Sequence, residues 1–103
     1  MLNQVVIVGR LVEKPITEEN ENGKKVCNIT LAVPRSFKNA EGEYDTDFIK
    51  CTLWNIIAEN TVEYCYKGDL VGVKGRLQCL SGNELQVVAE KVTFLSTNKN
   101  KEV

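Results

Sequence analysis

The sequence predicts an all-β domain, a closed barrel of five strands with one helix between the third and fourth strands. Five segments have the apolar runs or alternation of strands, polar turn segments separate most of them, and a single segment has helical spacing. Glycines inside the strand segments, Gly9, Gly72 and Gly75, fit the sharp bends of a small closed barrel.

The first two strands are predicted at residues 2–12 and 26–34. In the first, LNQVVIVGRLV, residues 5–8 form a continuous β-branched run, which is typical of a strand covered on both faces or lying against a partner subunit. The second, VCNITLAVP, alternates and predicts a half-buried strand. The polar residues 13–25 between them predict a loop or a weak hairpin end.

The third strand, predicted at residues 48–55, has an unusual outer face. One side carries the candidate core residues Ile49, Cys51 and Leu53. The other side carries Phe48, Lys50, Thr52 and Trp54. Two large aromatics and a lysine on a solvent face are not required by core packing. The preceding polar residues 35–47 predict a long loop, where binding residues often lie.

The helix is predicted over residues 57–67, because apolar residues recur there at helical spacing and Gly68 follows as a candidate C-terminal residue. The fourth strand, residues 70–79, alternates again. Lys74 and Arg76 fall on its outer face, where a solvated surface and a nucleic-acid contact are equally good interpretations.

The last strand is predicted at residues 85–95, after a short turn. Residues 1–95 therefore form one predicted domain, and residues 96–103 a polar, flexible tail. Five strands with one helix between the third and fourth match the oligonucleotide-binding (OB) Greek-key barrel, in which the helix plugs one end.

Charge and composition exclude several classes of protein. Thirteen basic and 14 acidic residues give a net charge of −1, which excludes nucleic-acid binding by bulk charge but leaves room for a local basic face. The chain has no histidine, so the commonest general base is missing, and we expect neither an enzyme nor a metal or other cofactor. No apolar run is long enough to span a bilayer and the N-terminus does not resemble a secretion signal, so we expect a cytoplasmic, nucleoid-associated protein.

The four cysteines lie far apart and form no C-x-x-C pair. They are Cys27, Cys51, Cys65 and Cys79. We predict buried, inert thiols at all four positions, in preference to metal ligands or disulfides.

A binder of single-stranded nucleic acid needs cations spaced among aromatic rings, because phosphates attract the former and unstacked bases stack on the latter. The root of the long loop and the third strand supply that mixture in Arg35, Phe37, Lys38, Phe48, Lys50 and Trp54. Taken alone, Trp54 is better explained as a core residue. Its shared face with Phe48 and Lys50 favours binding.

Several long blocks resemble the bacterial single-stranded DNA-binding protein family. They are MLNQVVIVGRL, ITLAVPRSFKNAEGEYDTDFIKCTLWN, AEN, YKGDLVGVKGRLQ and VVAEKVTFL, in one order from residue 1 to about residue 95. The resemblance implies an OB barrel that binds and protects single-stranded DNA in replication, recombination and repair. It also implies a homotetramer, or a dimer, built through the N-terminal strand.

The resemblance assigns roles to individual residues. It implies that Phe37, Phe48 and Trp54 stack on bases. The cations that it places on the DNA backbone are Arg35, Lys38, Lys50, Arg76 and, less surely, Arg10.

Two features depart from the family pattern. The hairpin LQCLSGNELQ, residues 77–86, is short and has no aromatic. The sequence ends at Val103 without the acidic tip by which relatives recruit other proteins, so we expect a short natural form or a truncated chain, and recruitment of replication or repair proteins is not carried over.

Two other functions compete with DNA binding. One is a protein-interaction barrel in the manner of the primosomal replication protein, with weak nucleic-acid binding, which the short hairpin and the acidic balance favour. The other is an enzyme using the carboxylates of the long loop, for which a solvated charged loop is the better interpretation. Those carboxylates are Glu41, Glu43, Asp45 and Asp47.

Overall fold

The computed structural model describes residues 1–96 of the 103-residue chain. Its strands are β1 (Val5–Leu11), β2 (Glu18–Glu19), β3 (Lys25–Lys38), β4 (Tyr44–Trp54), β5 (Leu70–Cys79) and β6 (Leu85–Ser96). The helix α1 is Asn55–Tyr64, and a single 3-10 turn, Ser81–Asn83, joins β5 to β6.

The strands form one sheet in the order β1-β5-β6-β4-β3-β2, and a further pairing between β1 and β3 closes it into a barrel. All neighbours are antiparallel except β4 and β6, which run parallel. The predicted five-stranded barrel with one helix is confirmed. The two-residue β2 pairs with the start of β3, within the segment predicted as a loop or weak hairpin end.

Alternation fills the barrel as predicted. The inward set comes from every long strand and includes Leu11, Cys27, Ile29, Leu31, Cys51, Leu53, Val71, Val73, Val87 and Ala89. One residue breaks the pattern of β4. Thr52, predicted on the open face, is 3% exposed because side chains of β3 and β6 cover it.

The predicted loop 35–47 is wrong, because most of it is a β-hairpin. β3 continues to Lys38 and β4 begins at Tyr44, which leaves five residues for the turn. In that turn the Asn39 side-chain Oδ1 accepts hydrogen bonds from the backbone N–H groups of Glu41 (2.9 Å) and Glu43 (3.0 Å). Polar residues on both faces hid the strands from an apolar-pattern argument. We call this hairpin, residues 35–47, the arm.

The helix begins and ends earlier than predicted. It starts at Asn55, whose φ of 55° lies in the left-handed region that asparagine tolerates better than most residues. It ends at Tyr64, and Gly68 lies in a separate turn rather than at the helix C-terminus. Ala58 and Thr61 face the barrel, so the helix covers one end of the core. None of the helices described in residues 1–96 is long and apolar enough to cross a membrane.

Cys79 is exposed, which corrects the prediction of four buried thiols; Cys27, Cys51 and Cys65 are buried. Burial raises the pKa of the Cys51 thiol to about 11, so that thiol stays protonated and unreactive at neutral pH. Cys79 escapes burial because β5 leaves the barrel after Gly75.

At Gly75, the backbone of β5 lies so close to that of β6 that there is no room for a side chain. A Cβ added there would lie 2.1 Å from the Val88 carbonyl oxygen. The pairing of β5 with β6 also shifts register between Lys74 and Gly75. Only glycine therefore fits the point at which β5 bends away from the core.

Candidate nucleic-acid interface

The outer side of β4 presents aromatic and cationic side chains in a row, as alternation predicts. Phe48 is 66% exposed, Lys50 is exposed, and Trp54 is half-buried. At about 3.3 Å per residue, the row from Phe48 to Trp54 covers about 20 Å. We call these three residues the β4 face. A Phe ring exposed to this degree does not gain the free energy of apolar burial. A binding role explains why the ring is exposed nevertheless.

Between Lys50 and Trp54 the face is closed by a polar network. Thr52 Oγ1 lies 2.7 Å from Gln86 Oε1 and 3.2 Å from Asn28 Oδ1. Asn28 is opposite Thr52 in the β3–β4 register, and Gln86 comes from β6. The sequence argument missed both amides. Cross-strand pairing with residue 52 was the available signal for Asn28, but the contact with Gln86 depends on the β4–β6 pairing that only the barrel creates.

Two open grooves flank Lys50. One, of about 420 Å³, runs between β4 and the β5–β6 hairpin and is lined by Phe48, Lys50, Leu77 and Leu85 among others. The other, of about 390 Å³, lies over Asn28, Gln86 and Leu80. Leu77 and Leu85 are 42% and 59% exposed, so the hairpin offers aliphatic side chains opposite Phe48. Sequence reasoning missed these leucines, because alternation placed Leu77 in the core.

The arm carries the other predicted aromatic and its cations. Phe37 is 64% exposed. The Lys38 ammonium lies 5.9 Å from the centroid of the Tyr44 ring, within cation–π distance. Tyr44, 57% exposed, is a further aromatic of this region that the sequence argument did not select.

Arg35 is held by carboxylates of the facing strand. Its Nε and Nη2 donate to Asp47 at 3.1 and 2.9 Å, and its Nη1 lies 3.7 Å from Asp45 Oδ2. The hydrogen bond to Asp47 raises the pKa of Arg35 and lowers the pKa of the Asp47 carboxyl. The predicted phosphate ligand is therefore already paired with an anion, and two of the acidic residues of the arm have a structural role.

Two more of the predicted cations have carboxylate partners. Lys50 Nζ lies 3.4 Å from Glu84 Oε1, and Arg76 Nη1 lies 3.4 Å from Glu90 Oε2. A hydrogen bond from Gln86, and then the charge of Lys50, lower the pKa of Glu84. Exposed pairs of this kind are weak, so a phosphate can replace the carboxylate at little cost.

Lys74 lies on a different surface. In the barrel it is opposite Val6 of β1 and Lys91 of β6, and it lines neither groove beside Lys50. Val6 is 70% exposed and Val8, beside it on β1, is 48% exposed. We call Val6, Val8, Lys74 and Lys91 the β1 face. Arg76, two residues beyond Lys74, also lines neither groove.

Arg10 has a structural contact. Its Nη1 donates to the Gly68 carbonyl at 3.0 Å, which ties β1 to the turn after the helix. Within the described part of the chain, no group of three or more Cys, Asp and Glu side chains could hold a metal ion.

Comparison with known proteins agrees with this geometry. A sequence model described as the single-strand binding protein family matches residues 2–99. Single-stranded DNA-binding protein B of Bacillus subtilis (strain 168) is 48% identical over 103 residues, covering 92% of this chain and 91% of its own length. Single-stranded DNA-binding protein of Halalkalibacterium halodurans is also 48% identical, and the match covers 92% of this chain but 61% of that protein.

A solved structure has the same fold. The crystal structure of wild-type single-stranded DNA binding protein from Thermus aquaticus matches with a TM-score of 0.74 and 28% sequence identity. The match covers 94% of this chain and 42% of the Thermus chain, so this chain spans less than half of that protein.

Proposed function

The chain belongs to the single-strand binding protein family, and we propose that it binds and protects single-stranded DNA in a sequence-tolerant manner and without catalysis. One observation carries the proposal: Phe48, Lys50 and Trp54 follow one another along the open side of β4. Bases stack on rings and phosphates meet cations in such a row.

The DNA path that we propose begins on the arm and follows β4. Phe37, Phe48 and Trp54 stack on bases, and Arg35, Lys38 and Lys50 contact phosphates. The grooves beside Lys50 give room for the bases between these contacts. Arg76 and Lys74 join the path only if the strand continues from the grooves around the barrel, because they lie outside both grooves.

Because Arg35, Lys50 and Arg76 are each paired with a carboxylate, DNA binding exchanges one anion for another at each cation. A phosphate displaces Asp47, Glu84 or Glu90 from its cation, and the freed carboxylate turns toward solvent. The exchange keeps the apo surface close to neutral, in agreement with the net charge of −1. It also limits the net gain from each phosphate, so stacking supplies the larger share of affinity.

We propose that assembly occurs through the β1 face. The exposed Val6 and Val8 are aliphatic and lie on the same side of β1, and Leu95 and Val8 both border Gly72. Their burial against a second copy explains an apolar run that the barrel itself does not cover. A homotetramer built in this way is the assembly that we propose, with the dimer as its first step.

The domain that carries this activity is residues 1–95. Roles in replication, recombination and repair, a nucleoid-associated cytoplasmic location, and contacts with other replication proteins are extensions of the proposal. The matches cover 61% of the Halalkalibacterium relative and 42% of the Thermus chain.

The single tryptophan gives a direct test. Its fluorescence is titrated with oligo(dT) and with duplex of the same length, at low and at moderate salt. We expect strong quenching by the single strand alone, weaker at the higher salt because neutralised phosphates release counterions. Absence of quenching together with absence of a gel shift would overturn the proposal and leave a protein-interaction barrel as the function to test.

A further inference from the structure

Beside Trp54, at the far end of the β4 face, lies an open pocket of about 280 Å³. Trp54 forms one wall, and the other walls are Asn20, Asn22, Lys24 and Asn55. The first three come from the turn between β2 and β3. That turn lies here because Val26, at the start of β3, is the register partner of Trp54. None of these polar residues entered the sequence argument, because the segment lacks any apolar pattern.

The turn holds its shape through the Asn20 side chain. Asn20 Oδ1 accepts hydrogen bonds from the backbone N–H groups of Asn22 (3.0 Å) and Lys24 (2.9 Å). The Asn20 backbone N–H also donates to the Lys24 carbonyl at 2.9 Å. Lys25, the next residue, pairs with Glu59 of the helix. The pocket is therefore built on a fixed turn joined to α1 and does not depend on a mobile loop.

The hydrogen bonds of Asn20 fix which of its side-chain atoms remains as a donor at the pocket. A backbone N–H can donate only to the amide oxygen, so the assignment of Oδ1 is fixed and the Nδ2 group is left as a donor. Within residues 1–96 that Nδ2 has no hydrogen-bond partner, and the Lys24 ammonium has none either. An ammonium is a donor without acceptor capacity.

The remaining two amides are balanced. The side chains of Asn22 and Asn55 each offer a donor and an acceptor, and neither has a partner in the described part of the chain. Asn55 is held at the pocket by its left-handed φ of 55°, which turns the chain from β4 into the helix. Donors therefore outnumber acceptors around the space next to the Trp54 ring.

We propose that this pocket reads the edge of the one base that stacks on Trp54 and favours a keto base, thymine, uracil or guanine, over an amino base. The inference rests on the proposed function. A keto base presents a ring carbonyl where cytosine and adenine present an amino group. Asn20 Nδ2 and the Lys24 ammonium can donate to that carbonyl, whereas the amino group of cytosine or adenine is itself a donor and offers them no acceptor at that position. The single strand is thereby given a preferred register on an otherwise sequence-tolerant surface.

The experiment compares the affinities of oligo(dU) and oligo(dC) of equal length by fluorescence anisotropy. The two bases differ at position 4, oxygen against amino, and in the N3 proton, and neither carries a methyl group. We expect the native protein to bind oligo(dU) about threefold or more tightly, the ratio that one hydrogen bond typically supplies.

Two variants test the residues. Lys24→Met removes a donor and keeps the aliphatic stem, and Asn20→Asp keeps the oxygen that holds the turn but replaces the donor with an acceptor. Both are expected to lower the dU to dC affinity ratio toward one. The controls are Lys67→Met and Asn60→Asp, which make the same chemical changes at residues that do not line the pocket and should leave the ratio unchanged.

Each outcome is decisive. A native ratio of one with tight binding of both oligonucleotides would overturn the pocket and leave the proposed function standing. Equal shifts in the pocket variants and their controls would also overturn it, since general electrostatics would then explain the ratio. If the native protein binds neither oligonucleotide, the proposed function fails and the pocket with it. Because the Lys24 side chain has no partner in residues 1–96, Lys24→Met remains interpretable even if Asn20→Asp disturbs the turn.

Discussion

The β4 face and the β1 face are both exposed and both carry lysine. They differ in the type of apolar side chain and in the pairing of their charges. On the β4 face and the arm, aromatic rings alternate with cations, and Arg35 and Lys50 each have a carboxylate partner. On the β1 face the apolar residues are aliphatic. There Lys74 is opposite Lys91, and in the part of the chain that the structure describes neither lysine forms an ion pair.

This difference shows why a net charge of −1 does not exclude DNA binding. Charge is balanced locally on the β4 side by carboxylates that a phosphate can replace. On the β1 face, like charges directly opposite each other are destabilising, and the aliphatic surface beside them offers nothing for a base to stack on. One surface is suited to a ligand that brings phosphates and rings, and the other to a second copy of the chain.

The largest effect on stability is expected at Gly75 of β5, a strand that lies between β1 and β4 in the sheet order. Gly75→Ala places a Cβ against the Val88 backbone, which cannot move cheaply, and should lower the free energy of unfolding by about 3 kcal/mol or more. Gly72→Ala on the same strand is the control. Its Cβ would meet only ordinary contacts, at 3.6 Å or more. Urea denaturation compares them, and equal stabilities would contradict the close approach.

Truncating the rings of the DNA path comes next. Phe37→Ala and Phe48→Ala are each expected to weaken binding of oligo(dT) by about 1 to 3 kcal/mol, because each base loses its stacking partner. Both rings are about two-thirds exposed, so stability should change little. Anisotropy titration measures the loss. Tyr64→Ala on the helix is the matched control, and an equal loss there would refute the assignment of the β4 face.

Placing a charge on the β1 face separates assembly from DNA contact. Val8→Glu inserts a carboxylate into the aliphatic surface and is expected to reduce the molecular mass in solution by half or more, because an unpaired charge is costly to bury. Ile56→Glu, at a more exposed position on the helix (67% against 48% for Val8), should leave the mass unchanged. Light scattering after size exclusion gives the mass. An unchanged mass for Val8→Glu would place the assembly elsewhere.

Removing a competing carboxylate should strengthen DNA binding slightly. Asp47→Asn removes the nearer of the two carboxylates beside Arg35 and is expected to raise the affinity for oligo(dT) on the order of twofold, with a steeper salt dependence. Glu63→Gln on the helix removes the same charge far from any predicted cation and serves as the control. Equal gains in the two variants would show a general charge effect and contradict the exchange.

The same pair has a definite pH dependence. Arg35 lowers the pKa of Asp47 in the folded chain, so the pair stabilises the fold above the ordinary Asp pKa of about 4 and is lost as pH falls through the lower folded value. Protonation therefore removes this competitor of phosphate only in acid, whereas at neutral pH a phosphate has to displace the charged Asp47 carboxylate. Titrations at several pH values should show the gain in native affinity beginning below about pH 4, and Asp47→Asn should remove that contribution.

The smallest effect is expected in the reactivity of the Cys79 thiol, which bound DNA should protect. This exposed thiol is opposite Leu85, a residue of the groove beside Phe48, and should react first with a maleimide. Bound oligo(dT) is expected to slow that reaction several-fold. In a Cys79→Ser background, Glu63→Cys, at an exposed position on the helix, provides the control thiol. Protection of both thiols, or of neither, would remove the distinction between the two sides.

Much of the candidate site could be grouped from the sequence because its residues lie on one strand. Alternation fixes the sides of a strand whatever the fold, so Phe48, Lys50 and Trp54 could be grouped without any knowledge of neighbours. The arm was predicted as a loop because both of its faces are polar. Its strands pair through backbone hydrogen bonds, which the pattern of apolar residues does not indicate. Cys79 and Leu77 were placed in the core because alternation cannot show where a strand leaves the barrel.

The sequence by itself determined the order of elements, the inward residues of each strand and the composition of the β4 face. These follow from local periodicity and from the chemistry of adjacent residues. The tertiary structure alone decided which charges meet, since Lys50 and Glu84 are 34 positions apart and come together only where the β5–β6 hairpin folds over β4. It also placed the turn at Asn20 beside Trp54, because strand register, which depends on closure of the whole barrel, brings distant polar side chains into one pocket.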